Sequence, residues 1–451
     1  MPPPFQRAER FRYDGYTIDP VRGEVRCTYS TGGHTFTERF VFGSRGDWDA
    51  PAVDAAVRIL FLLAGVSYYK TTAAVMIDLG ATPTTAEERA FLKSYYVNGL
   101  GEFAYRNGLD LQGLEVTGPD TTRAAVVDYV PEPLRPLIPF GGGIDSIVTV
   151  AWLTRHVTDA ALCVVHPPGE RFDAIEDAAA VTGLPVTRIT REIDPLVRRS
   201  EELGFLNGHV PVTAIITAAA LVAAVLDRRD AVVLSNEWSA SVPTLVHEGR
   251  PVNHQWSKGI EFEESFARLV AASLGPKVSV FSYLRTRSEL WVAMQFSDLP
   301  KYHRVFRSCN RAFHQDRAAR LGRWCGACDK CCFIDLILAP FMSAADLRQV
   351  FDGHEPLEDP SLENRFSDLL GLDPDDKPFE CVGDAGECRA ALLNAAVHPD
   401  RQDSPILRQL AHRLHNEPGL PYYAVTQFLS PLGDHHIPER YAPSDLLVRA
   451  H

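Results

Sequence analysis

The stretch Leu134-Arg135-Pro136-Leu137-Ile138-Pro139-Phe140-Gly141-Gly142-Gly143-Ile144-Asp145-Ser146 decides the fold of this chain. It reads as a short apolar strand running into a glycine turn. Ile147-Val148-Thr149-Val150-Ala151-Trp152-Leu153 then continues as the first turns of a buried helix. Three consecutive glycines let the backbone turn tightly and bring its N–H groups close to an anion, because no side chain stands in the way. The helix behind them adds unpaired amides and the positive end of its dipole. Strand, turn and helix together predict a phosphate cradle.

Spacing narrows the kind of cradle. The phosphate loop of many NTPases needs Gly-x4-Gly-Lys-Ser/Thr, and no Lys follows these glycines. The dinucleotide pattern Gly-x-Gly-x-x-Gly fails as well, since its third glycine would fall at Ser146. The stretch resembles the Ser-Gly-Gly-x-Asp-Ser motif of the PP-loop (N-type) ATP pyrophosphatases, which cleave ATP to AMP and pyrophosphate. Gly142, Gly143, Asp145 and Ser146 match that motif, and Gly141 stands where the family usually has Ser. The resemblance implies that residues 141–143, 145 and 146 bind ATP, short of one hydroxyl contact to phosphate.

Beyond the loop the pattern alternates strand and helix to about Val280. Ala161–Val165, Val186–Ile189, Ala231–Leu234 and Val278–Phe281 are the further candidate strands. We expect an α/β fold: a parallel sheet with helices on both faces and ligands beyond the strands' carboxyl ends. Residues 1 to about 48 alternate apolar and polar side chains and predict a small antiparallel sheet, followed by helices from Val53 to Leu63 and Thr85 to Asn98. After Ser343 the chain reads as helical with Pro/Asp-rich connections. The expected division is an N-terminal α+β domain (1–133), an ATP pyrophosphatase-like core with a cysteine cluster (134–342) and a helical C-terminal region (343–451).

The 451 residues can bury a large core, and 45% apolar with 23% charged residues is ordinary globular composition. A net charge of −13 without a long basic run argues against nonspecific nucleic-acid binding. The N-terminus lacks the apolar core of a secretory signal, and the most apolar segment, Val210 to Leu226, is too short for a membrane span. We expect a cytoplasmic protein with no membrane span.

Four of nine cysteines crowd into Cys325–Cys332, with Cys309 upstream. In a reducing compartment such crowding points to a metal. Cys309, Cys325, Cys328 and Cys331 offer four thiolates able to close a tetrahedron, the arrangement of structural zinc, although an iron–sulfur cluster could use the same ligands. Cys332 competes for the fourth place, but adjacent residues rarely both reach one ion. The cluster also resembles one that follows the PP-loop in 7-cyano-7-deazaguanine synthases.

Further motifs include Asn207-Gly208-His209-Val210-Pro211-Val212-Thr213-Ala214, Ser235-Asn236-Glu237-Trp238-Ser239-Ala240 and Val252-Asn253-His254-Gln255-Trp256-Ser257-Lys258. Phe306-Arg307-Ser308-Cys309-Asn310 and Lys377-Pro378-Phe379-Glu380-Cys381-Val382-Gly383 complete the set. Together they resemble the UDP-N-acetyl-muramoyl-L-alanyl-L-glutamate epimerases of bacterial peptidoglycan synthesis, over roughly residues 5–400. The resemblance implies ATP-dependent inversion of the terminal L-Glu of a UDP-muramoyl dipeptide through an acyl-adenylate, with Mg²⁺ held by Asp145 and a carboxylate such as Glu237.

The proton-transfer residue stays open among Glu237, His254 and Lys258. Cys381, with Cys388, admits a racemase-like thiol pair, against ordinary core packing. Asn236, Asn253, Arg285 and Arg307 are candidate substrate contacts, because amides and guanidinium forks suit carboxylate and pyrophosphate. Two rival readings are an amide- or nitrile-forming enzyme that also adenylates carboxylates, and a zinc-stabilised nucleotide-binding protein without turnover.

Overall fold

A computed structural model describes residues 5–121, 126–314, 317–372, 380, 382–401, 404–417 and 424–442. Its first strands, β1 (Arg10–Asp19), β2 (Glu24–Thr31) and β3 (His34–Val41), form an antiparallel meander. Strict alternation builds it: Val25, Cys27, Tyr29 and Thr31 are buried on one face of β2, opposite Phe36 and Phe40 of β3. Two short strands, β4 (Met76–Asp78) and β5 (Glu115–Thr117), extend the sheet parallel to β1.

The expected parallel strands follow as β6 (Glu132–Pro139), β7 (Ala161–His166), β8 (Val186–Glu192) and β9 (Arg229–Leu234). A separate hairpin, β10 (Leu245–His247) and β11 (Arg250–Val252), precedes the last strand, β12 (Ser279–Ser282). Among the described residues the main sheet has ten strands in the order β12-β9-β6-β7-β8-β3-β2-β1-β4-β5. It is mixed rather than wholly parallel, which corrects the expectation of a separate N-terminal sheet. Left alone, β8 would present a row of unpaired amides and carbonyls; β3 covers that edge in antiparallel register, with Arg39 opposite Glu192 and Val41 opposite Thr190.

Within the parallel half, the chain steps outward from β6 to β7 and β8, then returns to place β9 and β12 on the other side. The reversal between β6 and β9 opens a crevice beyond their carboxyl ends, the usual ligand position in such sheets. Buried apolar residues form two clusters, one against each face. Leu137, Val232 and the Val212–Leu226 helix join the N-terminal elements, whereas Ile138, Val233 and the Ile144–Leu153 helix join the C-terminal helices. Neither cluster follows the boundaries drawn at 133 and 342. The flanking segments fold onto the sheet because each parallel strand has two apolar faces to cover.

Local chemistry sets the helix ends. Thr85 and Glu88 form a reciprocal capping box at the start of Ala86–Gly99. Among the described residues one helical stretch, Pro51–Tyr69, is long and apolar enough to cross a membrane, and 83% of its apolar window is buried inside the protein. Packing against the Val212–Leu226 helix makes it a core element.

Candidate functional site

The glycine turn joins β6 to the Ile144–Leu153 helix at the crevice. Gly142 has φ +74, and a Cβ there would lie 2.4 Å from the Ala174 carbonyl oxygen, so only glycine fits this close passage. A Cβ on Gly141 would meet nothing within 4 Å, which leaves that position open toward the crevice. Ser308 Oγ lies 3.0 Å from where a Gly143 Cβ would stand, so the segment leading into the cysteines packs against the turn. Ser146 donates to the Gly143 carbonyl at 3.0 Å, and Asp145 occupies the first helical turn.

Across the crevice, residues after β9 and β12 hold one another. Buried Arg285 donates to the Glu237 carbonyl at 2.9 Å, the Lys258 carbonyl at 2.6 Å and Glu263 Oε2 at 2.7 Å. Its guanidinium is committed inside the protein, which corrects its reading as a substrate contact: Arg285 fastens three segments. Asn253 is likewise occupied, donating to the Ala240 carbonyl at 2.9 Å and accepting from Gln255 N–H at 2.7 Å. Asn236 donates to Ser282 Oγ at 3.0 Å. Glu237, only 3% exposed, accepts from Ser239 Oγ at 3.2 Å.

Glu237 and Asp145 belong to an acidic group that spacing did not reveal. Burial, then the charges of Asp145 and Glu237, push the Glu289 carboxyl well above the ordinary range, against the opposing charge of Lys330. Burial first, and the charges of Asp384 and Glu237, push Glu387 up to about 8, although it accepts from Leu290 N–H at 3.0 Å. Burial disfavours the charged form of both carboxyls, and the neighbouring carboxylates add to it.

A second group gathers around Glu102. His254 Nδ1 bonds Glu102 Oε2, and Arg106 Nε donates to Glu102 Oε1 at 2.6 Å. Burial opposes the Glu102 carboxylate, yet its bonds to His254 and Arg106 hold its pKa below the ordinary value. The His209 ring lies 4.2 Å from that of His254, centroid to centroid. Burial, then the His254 charge, lowers the His209 pKa to about 4. Lys70, buried and facing Arg191, is lowered to about 8 and donates to Asn207 Oδ1 at 2.5 Å. Lys258 donates to Gln255 Oε1 at 3.0 Å.

The thiols of Cys309, Cys325, Cys328 and Cys331 all lie within 4.8 Å of one another. Cys328–Cys331 and Cys325–Cys331 sulfur separations are 3.4 and 3.6 Å. Thiolates bonded tetrahedrally at about 2.3 Å would be about 3.8 Å apart. Cys332 turns into the core, and Cys388 is fully buried there. Cys381 lies outside the described residues.

Asp145 of the glycine turn and Glu237 thus act together on Glu289, and Arg285 ties the Lys258 backbone to that of Glu237. Arg307 turns to Asp177 Oδ2 at 3.4 Å and is not among them. Reading the sequence missed Glu102, His209 as a side chain, Glu289 and Glu387. The only available signal was His209 inside a quoted motif; isolated glutamates in helices look like surface residues until the fold buries them.

Profiles of the MurL N-terminal domain and the MurL C-terminal domain match residues 4–283 and 305–421. A protein of Micromonospora sp. named UDP-N-acetyl-alpha-D-muramoyl-L-alanyl-L-glutamate epimerase is 37% identical over 97% of this chain and 98% of its own length. Similarly named proteins of Xanthomonas oryzae pv. oryzae and Salinispora tropica are 36% and 35% identical; they cover 87% and 97% of this chain and 86% and 95% of their own lengths. Similarity on this scale, running through both the crevice and the thiol cluster, places the chain in the MurL family.

Proposed function

We propose that the chain is an ATP-dependent epimerase inverting the terminal L-Glu of UDP-N-acetyl-muramoyl-L-Ala-L-Glu to D-Glu. Family membership supports the substrate, and the glycine turn facing buried carboxylates is the single observation that carries the ATP step. An ionised α-carboxylate makes the neighbouring C–H barely acidic, because deprotonation would set a second negative charge beside the first. The carboxylate attacks the α-phosphorus of ATP, pyrophosphate leaves, and the mixed anhydride withdraws electrons from the α-carbon. A base takes the α-proton, a proton returns on the opposite face, and water releases AMP.

The amides of residues 141–143 and the Ile144 helix start suit the triphosphate. Asp145 and Glu237 are hard oxygen donors fit for Mg²⁺, which would offset phosphate charge when bound. The four soft thiols suit a structural Zn²⁺. Its role would be to pin Ser308 and Asn310 beside the glycine turn and Glu380, which accepts from Asn310 Nδ2 at 3.0 Å.

The test is incubation with the muramoyl dipeptide, ATP and Mg²⁺ in D₂O. AMP release with inversion and deuterium at the Glu α-carbon is the expected result. AMP formed only with ammonia, without exchange, would replace this reading by an amide- or nitrile-forming one. No AMP under any of these conditions would leave a nucleotide-binding protein without turnover.

A further inference from the structure

Adenylation explains why the α-proton becomes acidic; it does not say what removes it. We infer that Glu102 and His254 form the proton-handling dyad of the inversion, Glu102 as the positioning residue and His254 as the group that exchanges the proton. The inference rests on the epimerase reading and deepens it.

The elements come from distant parts of the chain. Glu102 sits on the short Gly101–Arg106 helix, and His254 follows the β10–β11 hairpin 152 residues later. The Glu102 side chain is 6% exposed and that of His254 12%, so their hydrogen bond is sheltered, and His209 beside them keeps 24%. A carboxylate accepting Nδ1–H fixes the neutral ring's tautomer and orientation, and places its basic lone pair on Nε2. The same carboxylate stabilises the imidazolium once the ring has taken a proton.

Neighbouring charges favour proton transfer over a metal ion. The three groups lie close enough for an ion, within 4.8 Å. Arg106, however, already holds the second Glu102 oxygen at 2.6 Å, and the charges of Lys258 and Lys70 act on His209. A divalent cation would enter a site flanked by the positive charges of Arg106, Lys70 and Lys258. A carboxylate-bearing substrate is favoured by the same charges. His209, neutral over the working range, adds bulk and polarity beside His254 without a second full positive charge.

The dyad also has a physical connection to the ATP side. Arg285 bonds the carbonyls of Glu237 and Lys258, four residues past His254. The charge of His254 is felt by Glu380, which in turn feels Lys330, and Lys330 acts on Glu289 of the acidic group. In this proposal an activated carboxyl held at the glycine turn presents its α-carbon to His254. In the step proposed, the C–H electron pair stays on carbon as the enolate of the acyl-adenylate, and the proton passes to His254 Nε2. A proton from solvent water on the opposite face then forms the inverted C–H bond, and His254 returns its own proton to solvent.

The test uses the full chain with Glu102→Gln, Glu102→Asp and His254→Gln, reading α-deuterium uptake against ATP consumed. The expected outcome is a fall in that ratio of about 100-fold or more for His254→Gln and Glu102→Gln, with partial recovery in Glu102→Asp. The KM for the dipeptide should move far less than kcat. Independently, ¹⁵N spectra of the histidine rings should show the His254 tautomer and its titration altered by Glu102→Gln, with His209 shifted alongside it and the histidines outside this cluster keeping theirs. Wild-type protein that consumes ATP without α-exchange overturns the epimerase reading itself. Wild-type exchange with an unchanged ratio in the variants, or both reactions falling in parallel with thermal stability, overturns the dyad alone.

Discussion

Among the described residues, two clusters have ligand atoms gathered within the same 4.8 Å, and they invite opposite chemistry. The thiol cluster draws its members from one short segment, Cys309 to Cys331, and each member is a soft donor fit for one ion. The Glu102–His209–His254 cluster is assembled from three separate segments, its carboxylate is already bonded to an arginine, and lysines press on it electrostatically. Size alone therefore does not make a metal site; the charge and prior bonding of the donors decide.

The largest expected effect would break the thiol half of the comparison. Cys328→Ser should lower bound metal from one equivalent to near none and destabilise the segment from Ser308 to Asp329, read by metal analysis and thermal melting. Metal content unchanged in that variant would remove the cluster from consideration.

Arg285→Ala should act on the other half. Arg285 and Glu263 side chains are each 1% exposed, and breaking a buried pair costs about 3–5 kcal/mol. Denaturant unfolding should show that loss while bound metal stays constant. Loss of metal together with stability would mean the two clusters are not independent.

A smaller contrast lies within the glycine turn. Gly142→Ala forces a β-carbon against the Ala174 carbonyl at positive φ and should cost about 1–3 kcal/mol, with loss of ATP-dependent AMP release. Gly141→Ser places its side chain in open space and should leave stability unchanged. Equal behaviour of the two variants would contradict the geometry of the turn.

The smallest effect concerns pH. His209 has a folded pKa of about 4 against an ordinary 6.5, so the unfolded chain binds more protons between those values. Its contribution is present above pH 6.5 and is lost as pH falls toward 4, at about 1 kcal/mol per pH unit. His209→Gln should make the decline in stability across that window shallower; an identical decline would show that other groups set it.

Much of the architecture was legible in the sequence because its causes are local. Apolar runs at Ala161, Val186, Ala231 and Ser279 became parallel strands, and the glycine run became the strand–helix turn at the sheet's reversal. Cys309, Cys325, Cys328 and Cys331 could be grouped from spacing, since short connections limit how far their thiols can separate. Roles assigned by residue type fared differently. Arg285 suits a carboxylate by chemistry, and the fold supplies that carboxylate internally as Glu263.

Local periodicity and spacing thus determined the parallel core, its glycine turn between strand and helix and the four-thiol set, because backbone preference and short-range geometry act within a few residues. Tertiary structure alone decided that β3 would seal β8, that Arg285 would become a clasp, and that Glu102 would meet His254 across 152 residues. Those pairings depend on which faces and edges remain uncovered once the sheet forms, and burial then changes the protonation of whatever side chains meet there.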